Sequence, residues 1–104
     1  MESMFESCIA FTSLDLSKFK TTNVLNMKAL FKNCTLLQSY KVTNFNTQSV
    51  TTMESLFEYC YSLNTIDLTK FITKEVRSMK SMFRMCNSTT KLDVSKFDTS
   101  KVLD

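Results

Sequence analysis

Apolar and polar residues recur along the chain with a period of 26 residues. The same residue types return at the same places in four consecutive segments, 1–26, 27–52, 53–78 and 79–104. The most regular columns are Met1, Met27, Met53 and Met79; Phe5, Phe31, Phe57 and Phe83; Cys8, Cys34, Cys60 and Cys86; Phe19, Phe45, Phe71 and Phe97; Thr21, Thr47, Thr73 and Thr99; and Val24, Val50, Val76 and Val102. Several columns in one register, without an insertion, indicate a tandem repeat. The sequence predicts one repeat domain over residues 1–104.

The first third of each repeat has the periodicity of a short helix. In the third repeat, apolar residues stand at i, i+3, i+4 and i+7, which is one helical face. These residues are Met53, Leu56, Phe57 and Cys60. Side chains suited to capping a helix N-terminus come directly before the methionine column, namely Asn26, Thr52 and Ser78. We therefore predict helices near 27–34, 53–60 and 79–86, with a truncated helix at the chain start.

A strand pattern follows each cysteine. Ile66, Asp67 and Leu68 alternate apolar, polar and apolar, as a half-buried strand does. The corresponding strands are predicted near 13–16, 39–42, 65–68 and 91–94. One strand and one short helix cannot bury their own apolar faces, so neighbouring repeats must stack with parallel strands and ladders of identical side chains. The predicted fold class is an α/β solenoid of four coils.

Charged residues within the predicted helices support stacking. Two positions four residues apart read Glu2, Lys28, Glu54 and Lys80, and then Glu6, Lys32, Glu58 and Arg84. Charges are alike within a repeat and opposite between neighbouring repeats, which predicts two ladders of ion pairs; the alternative is chance alternation. Each exposed pair contributes only about 0–1 kcal/mol, so the ladders would mainly set the register.

The motif of the third repeat resembles a known class of leucine-rich repeats. The stretch from Met53 to Phe71, MESLFEYCYSLNTIDLTKF, is similar to BspA-like repeats, and FDTSKV from Phe97 to Val102 matches the linker of one variant. That variant, with the pattern LDLSxFDTSxVxxMxxMFxxC, occurs in mycoplasma lipoproteins and in bacterial and protist surface proteins. The resemblance covers the entire chain. It implies a right-handed leucine-rich-repeat solenoid, an extracellular or cell-surface location, and binding to host proteins or other cells.

The chain departs from that pattern at several positions. The resembling repeats often have glycine directly before the cysteine, where this chain has Ser7, Asn33, Tyr59 and Met85. Tyr40 and Lys41 replace the Leu/Ile-Asp pair of the other strands, and Thr89 replaces an apolar residue. These changes leave the fold expectation standing and weaken any transfer of a ligand site.

Composition argues against enzymatic chemistry. The chain has no histidine, which removes the commonest general base and metal ligand, and no glycine for a phosphate-binding loop. We therefore predict a non-enzymatic protein without cofactor or metal. A balance of 13 basic against 10 acidic residues, net +3, is too weak to favour nucleic acid or an anionic membrane. No apolar stretch is long enough to span a bilayer, and no signal peptide is visible at the start.

The four cysteines are predicted to be buried free thiols. An even count leaves disulfides as the alternative, but stacked cysteines have parallel Cβ directions that do not face each other. Their even spacing also matches no zinc motif. The methionine and phenylalanine columns are interpreted as core, and the threonine column is expected to bond local backbone in turns that lack glycine.

The outward positions of the strands are the candidate partner-binding residues. They are Asp15, Lys41, Asp67 and Asp93, with Lys91 beside them. The alternative interpretation is a solvated polar face. Calcium could bind clustered acids, but Lys41 interrupts this column. Two glycosylation sequons begin at Asn33 and Asn87, about as many as chance supplies in such a composition.

Two functions remain open at this stage: a protein-binding or adhesion module, and a structural spacer without a ligand. The chain begins at a predicted helical position and ends at Asp104, in the capping register, and neither end shows a polar capping repeat. We therefore expect an excerpt of a longer array that self-associates through uncapped apolar ends when isolated.

Overall fold

The computed structural model describes residues 1–104, and the four repeats form four stacked layers. Layers 1 to 4 are residues 1–26, 27–52, 53–78 and 79–104. The same backbone hydrogen bonds join each layer to the next. The N–H of Phe5 donates to the carbonyl of Leu30 at 3.0 Å, and the N–H of Phe31 donates to that of Leu56 at 3.0 Å. The 26-residue period is therefore the spacing from one layer to the next.

Four short strands lie on one side of the stack: β1 (Ser13–Asp15), β2 (Ser39–Lys41), β3 (Thr65–Ile66) and β4 (Lys91–Leu92). β1 pairs with β2 and β3 pairs with β4, both in parallel. Equivalent residues face each other, so that Leu14 is opposite Tyr40 and Ile66 is opposite Leu92. The strands lie within the predicted ranges but are shorter, and they form two separate two-stranded sheets.

The predicted helices near 27–34, 53–60 and 79–86, and the truncated one at the start, are absent. The predicted leucine-rich-repeat solenoid, with a strand and a helix in each coil, is therefore wrong. In an α-helix each interior N–H bonds four residues back. Here Leu30 bonds three residues back to Met27, whereas Phe31 bonds to Leu56 in the next layer. Alternate N–H groups leave the segment, so it is a series of turns. The structure accordingly contains no helix with the length and hydrophobicity that a bilayer crossing requires.

Left-handed residues interrupt these turn segments twice in every layer. They have φ between 52° and 61°, and none is glycine: Ser3, Ser7, Ala29, Asn33, Ser55, Tyr59, Ser81 and Met85. A left-handed residue other than glycine costs about 1–2 kcal/mol, so hydrogen bonds and burial between layers must offset this strain. Half of these residues directly precede a cysteine, where the resembling repeats often carry glycine. Glycine adopts a positive φ without this steric cost, so a residue other than glycine at these positions retains the strain.

Phenylalanine rings stack through the middle of the core. The rings of Phe31 and Phe57 are 5.4 Å apart and inclined by 8°. Phe5 continues the stack at 6.0 Å from Phe31, and Phe83 continues it at 6.2 Å from Phe57. The predicted ladder of identical side chains is confirmed for this column. Tyr40 packs beside it, 5.7 Å from Phe31 and 5.4 Å from Phe57.

The charge ladders are confirmed in part: both predicted pairs form between layers 2 and 3, one forms between layers 3 and 4, and neither forms between layers 1 and 2. Lys28 pairs with Glu54 at 3.1 Å, and Lys32 pairs with Glu58 at 3.1 Å. Arg84 approaches Glu58 from the other side at 3.4 Å. In layer 1, Glu2 instead accepts a hydrogen bond from the Asn26 amide at 2.9 Å.

The predicted capping residues act on turns instead of helices. The Asn26 side-chain oxygen accepts the N–H of Lys28 at 2.8 Å, and the Thr52 hydroxyl accepts the N–H of Glu54 at 3.3 Å. The Ser78 hydroxyl is buried without a partner. A helix N-terminus and a turn of this kind have the same requirement: a short polar side chain that accepts a free N–H group close after it in the sequence.

The threonine column bonds to the next layer, contrary to the expected local bonds. The hydroxyl of Thr21 donates to the carbonyl of Asn46 at 3.0 Å and accepts the N–H of the same residue at 2.7 Å. Thr73 bonds in the same way to Asp98, at 3.1 and 2.8 Å. Stacking thus brings backbone 25 residues away within hydrogen-bond distance of these hydroxyls.

Candidate functional site

The five predicted partner-binding residues are exposed on the strand side of the stack. We call their surface the strand face: Asp15, Lys41, Asp67, Lys91 and Asp93. The parallel pairing sets Asp15 opposite Lys41, with 3.9 Å between Nζ and Oδ2. Both side chains are more than 60% exposed, at 64% and 63%, so solvent screens this pair and its contribution to stability is small.

A groove of about 700 Å³ lies along β3 and β4. It brings together three of the five predicted residues, Asp67, Lys91 and Asp93, with apolar side chains between them. The complete lining is Thr65, Ile66, Asp67, Leu68, Thr69, Thr90, Lys91, Leu92, Asp93, Lys96 and Phe97. Charges of both signs therefore border a partly apolar depression.

A second, smaller depression of about 140 Å³ lies next to Lys41. Its lining includes Tyr40, Lys70 and Asp67, so Asp67 borders both depressions. Asp15 lines neither. The structure thus places four of the predicted residues along a continuous surface and leaves Asp15 at its margin.

The three aspartates of the strand face also close the turns that follow their strands. Asp15 Oδ1 accepts the N–H of Ser17 at 2.9 Å, and Asp93 Oδ1 accepts that of Ser95 at 2.9 Å. Asp67 Oδ1 accepts the N–H of Thr69 at 2.9 Å. The hydroxyl groups of Ser17, Thr69 and Ser95, and then these backbone bonds, lower the pKa of the three carboxyl groups. The sequence signal is Asp-x-Ser/Thr after each strand, which is the pattern of an Asx turn and went unused in the sequence analysis.

Tyr40 holds the backbone next to both depressions, a role that the sequence did not indicate. Its hydroxyl donates to the carbonyl of Asp67 at 2.7 Å. Burial raises the pKa of this phenol far above its ordinary value, so it remains a donor. The only signal was that a tyrosine stands where the other repeats have leucine or isoleucine. This bond fixes Asp67 from the layer below.

The four cysteines are free, and those of layers 2 and 3 are buried, as predicted. Cys34 donates to the carbonyl of Phe5 at 3.0 Å, and Cys60 donates to that of Phe31 at 3.1 Å. Burial raises the pKa of Cys34 to about 11 and also raises that of Cys60. A thiolate is the reactive form, so these side chains are poor nucleophiles at neutral pH. Nowhere do three cysteine or acidic side chains lie close enough together to hold a metal ion.

The whole chain matches one family model. Its description is "Mycoplasma protein of unknown function, DUF285", and the match covers residues 1–104. The chain belongs to this family. Membership agrees with the mycoplasma part of the resemblance found in the sequence, but it does not extend to the BspA-like class of leucine-rich repeats. No curated protein and no solved structure matches the chain.

Proposed function

We propose that this DUF285 chain is a non-enzymatic protein-binding or adhesion module that uses its strand face. One observation carries the proposal: the groove along β3 and β4 places Asp67, Asp93 and Lys91 around apolar Ile66 and Leu92. Protein contacts typically combine an apolar centre with a charged and hydrogen-bonding rim. A groove of about 700 Å³ has room for several side chains of a partner.

The hydrogen-bonding atoms of the groove that have no partner within the chain indicate which chemical groups a binding partner must carry. Each aspartate uses Oδ1 for its own turn, so Oδ2 remains available to accept from a basic side chain. Lys91 offers donors to an acidic one. We therefore expect a partner segment with both charge signs and an apolar side chain that covers Leu92, which is 45% exposed.

The non-enzymatic role is supported by the state of the polar groups. The cysteines of layers 2 and 3 are buried thiols with raised pKa, and the chain has no histidine. The sequence similarity to BspA-like repeats, together with membership of a mycoplasma family, supports a location at the cell surface and a protein of the host cell as partner.

The test measures adhesion to cultured host epithelial cells. Beads coated with the chain are compared with beads coated with the double variant Asp67→Asn/Asp93→Asn. Asparagine removes the charge but keeps the turn, since Asn46 Oδ1 accepts the N–H of Gln48 at 3.0 Å in the same way. We expect binding to fall about tenfold, as two charged contacts are lost.

Asp98→Asn is the matched control. Asp98 closes an identical turn with Ser100 at 3.0 Å but does not line the groove, so this variant should bind like the unmodified chain. Unchanged adhesion of the double variant, with an unchanged circular dichroism spectrum, would contradict a role for the strand face. Adhesion of the unmodified chain no greater than that of albumin-coated beads would contradict the binding function.

The turn-closing bonds favour a second candidate, a structural spacer. If closing turns is the whole role of Asp15, Asp67 and Asp93, the strand face needs no ligand. The spacer function predicts that the unmodified chain and both variants adhere no better than albumin.

A further inference from the structure

The backbone hydrogen bonds of the strand side continue from layer 1 to layer 2 but are interrupted between layers 2 and 3. The N–H of Leu16 donates to the carbonyl of Lys41 at 2.8 Å. Val42 corresponds to Leu16 in layer 2, and its N–H donates no hydrogen bond. The carbonyl that it would reach in the same geometry, that of Asp67, accepts the hydroxyl of Tyr40 at 2.7 Å instead. The N–H of Val42 is therefore an unused donor between two layers.

This unused donor lies beside the smaller depression of the strand face. Val42 is 5% exposed, and a buried N–H group nearly always has a partner in protein or ordered water. The depression of about 140 Å³ is lined by Tyr40, Lys41, Val42, Thr43, Asp67 and Lys70. An occupant of the depression would thus supply the acceptor that the chain itself does not.

The polar groups around this depression are mainly donors. Thr43 and Lys70 are exposed, and neither side chain forms a hydrogen bond or ion pair within the chain. Lys41 has only its long, solvent-screened pair with Asp15 at 3.9 Å. Asp67 is the one acidic residue of the lining, and its Oδ1 already accepts the N–H and the hydroxyl of Thr69, at 2.9 and 2.7 Å. Two positive charges against one negative favour an anion.

The larger groove has the same kind of unused donor but a different charge. Leu68 is the counterpart of Val42 in layer 3, and its N–H also donates no hydrogen bond. It lines the groove along β3 and β4, where Lys91 and Lys96 are balanced by two aspartates. An unpaired N–H thus borders both depressions, whereas an excess of positive charge borders only the smaller one.

We propose that the smaller depression binds an oxyanion group, a carboxylate or a phosphate. The N–H of Val42 and the hydroxyl of Thr43 donate to its oxygens, and the ammonium groups of Lys41 and Lys70 neutralise its charge. A volume of about 140 Å³ equals that of about five water molecules, so the site holds one such group and not a whole nucleotide. Binding of a small anion requires no partner in the groove along β3 and β4, so this proposal and the proposed adhesion function can each fail alone.

Amide NMR spectra recorded during titration with sodium phosphate, and separately with sodium acetate, test the proposal. Both titrations are made at constant pH and ionic strength, so that screening does not change. The Val42 amide should shift and reach a plateau with at least one anion, because its proton enters a hydrogen bond to a charged oxygen. The Leu68 amide should stay in place. A plateau with acetate alone identifies a carboxylate ligand, and a plateau with phosphate alone identifies a phosphate group.

Two glutamine variants separate the site from general attraction by charge. Lys70→Gln removes one donor of the depression and should weaken anion binding about tenfold. Lys96→Gln is the matched control, because Lys96 has the same place in layer 4 but lines only the groove, so this variant should bind like the unmodified chain. Both lysines are exposed, and the same spectra report whether each variant keeps the fold.

Three results would overturn the proposal. A Val42 amide that neither anion moves would show that water alone occupies the depression. Equal weakening by Lys70→Gln and Lys96→Gln would show attraction to the overall charge of the chain instead of a site. A Leu68 amide that shifts as far as that of Val42 would show that the charge around the depression gives no selectivity.

Discussion

The hydroxyl of Thr47 forms two hydrogen bonds with the backbone of Ile72. It donates to the carbonyl at 2.8 Å and accepts the N–H at 2.7 Å. Thr47 is 0% exposed, so water cannot replace either bond. One side chain thus satisfies both backbone groups of a residue in the next layer, and the same bond pair recurs between layers 1 and 2 and between layers 3 and 4.

Replacing Thr47 by valine keeps the shape and removes both bonds. The N–H and carbonyl of Ile72 lose their partner in a closed site, and each unsatisfied buried group costs about 1–3 kcal/mol. We expect the free energy of unfolding to fall by about 2–4 kcal/mol, measured by urea denaturation.

Two companion variants separate the hydrogen bonds from the methyl group. Thr47→Ser keeps the hydroxyl and should cost about 1 kcal/mol, the contribution of one buried methyl. Thr99→Val changes the exposed threonine of layer 4, which forms no such bond pair, and should leave stability unchanged. Equal losses in the valine variants at 47 and 99 would show that the interlayer bonds contribute nothing.

Ser7→Gly should stabilise the chain. Ser7 has a φ of 59° and an exposed side chain, so glycine relieves the left-handed strain without opening a cavity. We expect a gain of about 0.5–1 kcal/mol in thermal or urea unfolding. Ser13→Gly is the opposite control. Ser13 lies in β1, where glycine should lower stability by about 0.5–1 kcal/mol. A loss of stability in both variants would contradict the left-handed geometry.

Glu58 should make stability depend on acidic pH. Burial acts to raise its pKa, but hydrogen bonds from Ser55 and Lys32 outweigh burial and hold it below the ordinary value of 4.5. The folded chain therefore binds this proton less readily than the unfolded chain. The stabilisation is present above pH 4.5 and is lost as pH falls through the lowered pKa.

Glu58→Gln should reduce stability at pH 7 by about 1–2 kcal/mol, with a smaller further loss on acidification than in the unmodified chain. Glu75→Gln removes an exposed pair with Lys101, which solvent screens, and should change the pH profile less. Parallel pH profiles of the Glu58→Gln variant and the unmodified chain, measured by urea denaturation from pH 7 to pH 3, would rule out this role.

The cysteines should differ in reactivity by layer. Cys60 is 0% exposed, whereas Cys8 and Cys86 are half-buried in the outer layers. Burial also raises the pKa of Cys60, so little thiolate forms at pH 8. Alkylation with iodoacetamide, followed by mass spectrometry of the peptides, should label Cys8 first and Cys60 last. In urea all four should react at similar rates. Native labelling of Cys60 as fast as Cys8 would contradict its burial.

The candidate site was predicted in part. The alternation of apolar and polar residues in the strands predicted that Asp67 and Asp93 point outward. Both are exposed and line the groove. The closing of the turns by Asp-x-Ser/Thr was readable from the sequence but was not used. The bond between Tyr40 and Asp67 was not readable, since it joins residues 27 apart whose approach depends on the stacked backbone.

The sequence by itself determined the layer spacing, the strand positions and the columns that stack. A 26-residue period with identical apolar residues leaves one register, in which Phe31 contacts Phe57 and Lys32 contacts Glu58. Only the tertiary structure decided the backbone of residues 27–34, 53–60 and 79–86. Spacing at i, i+3, i+4 and i+7 places apolar side chains on one side of a helix, and it does the same in a chain of turns with a left-handed residue at every fourth position. The neighbouring layers select the turns, because they accept the alternate N–H groups that a helix would keep for itself.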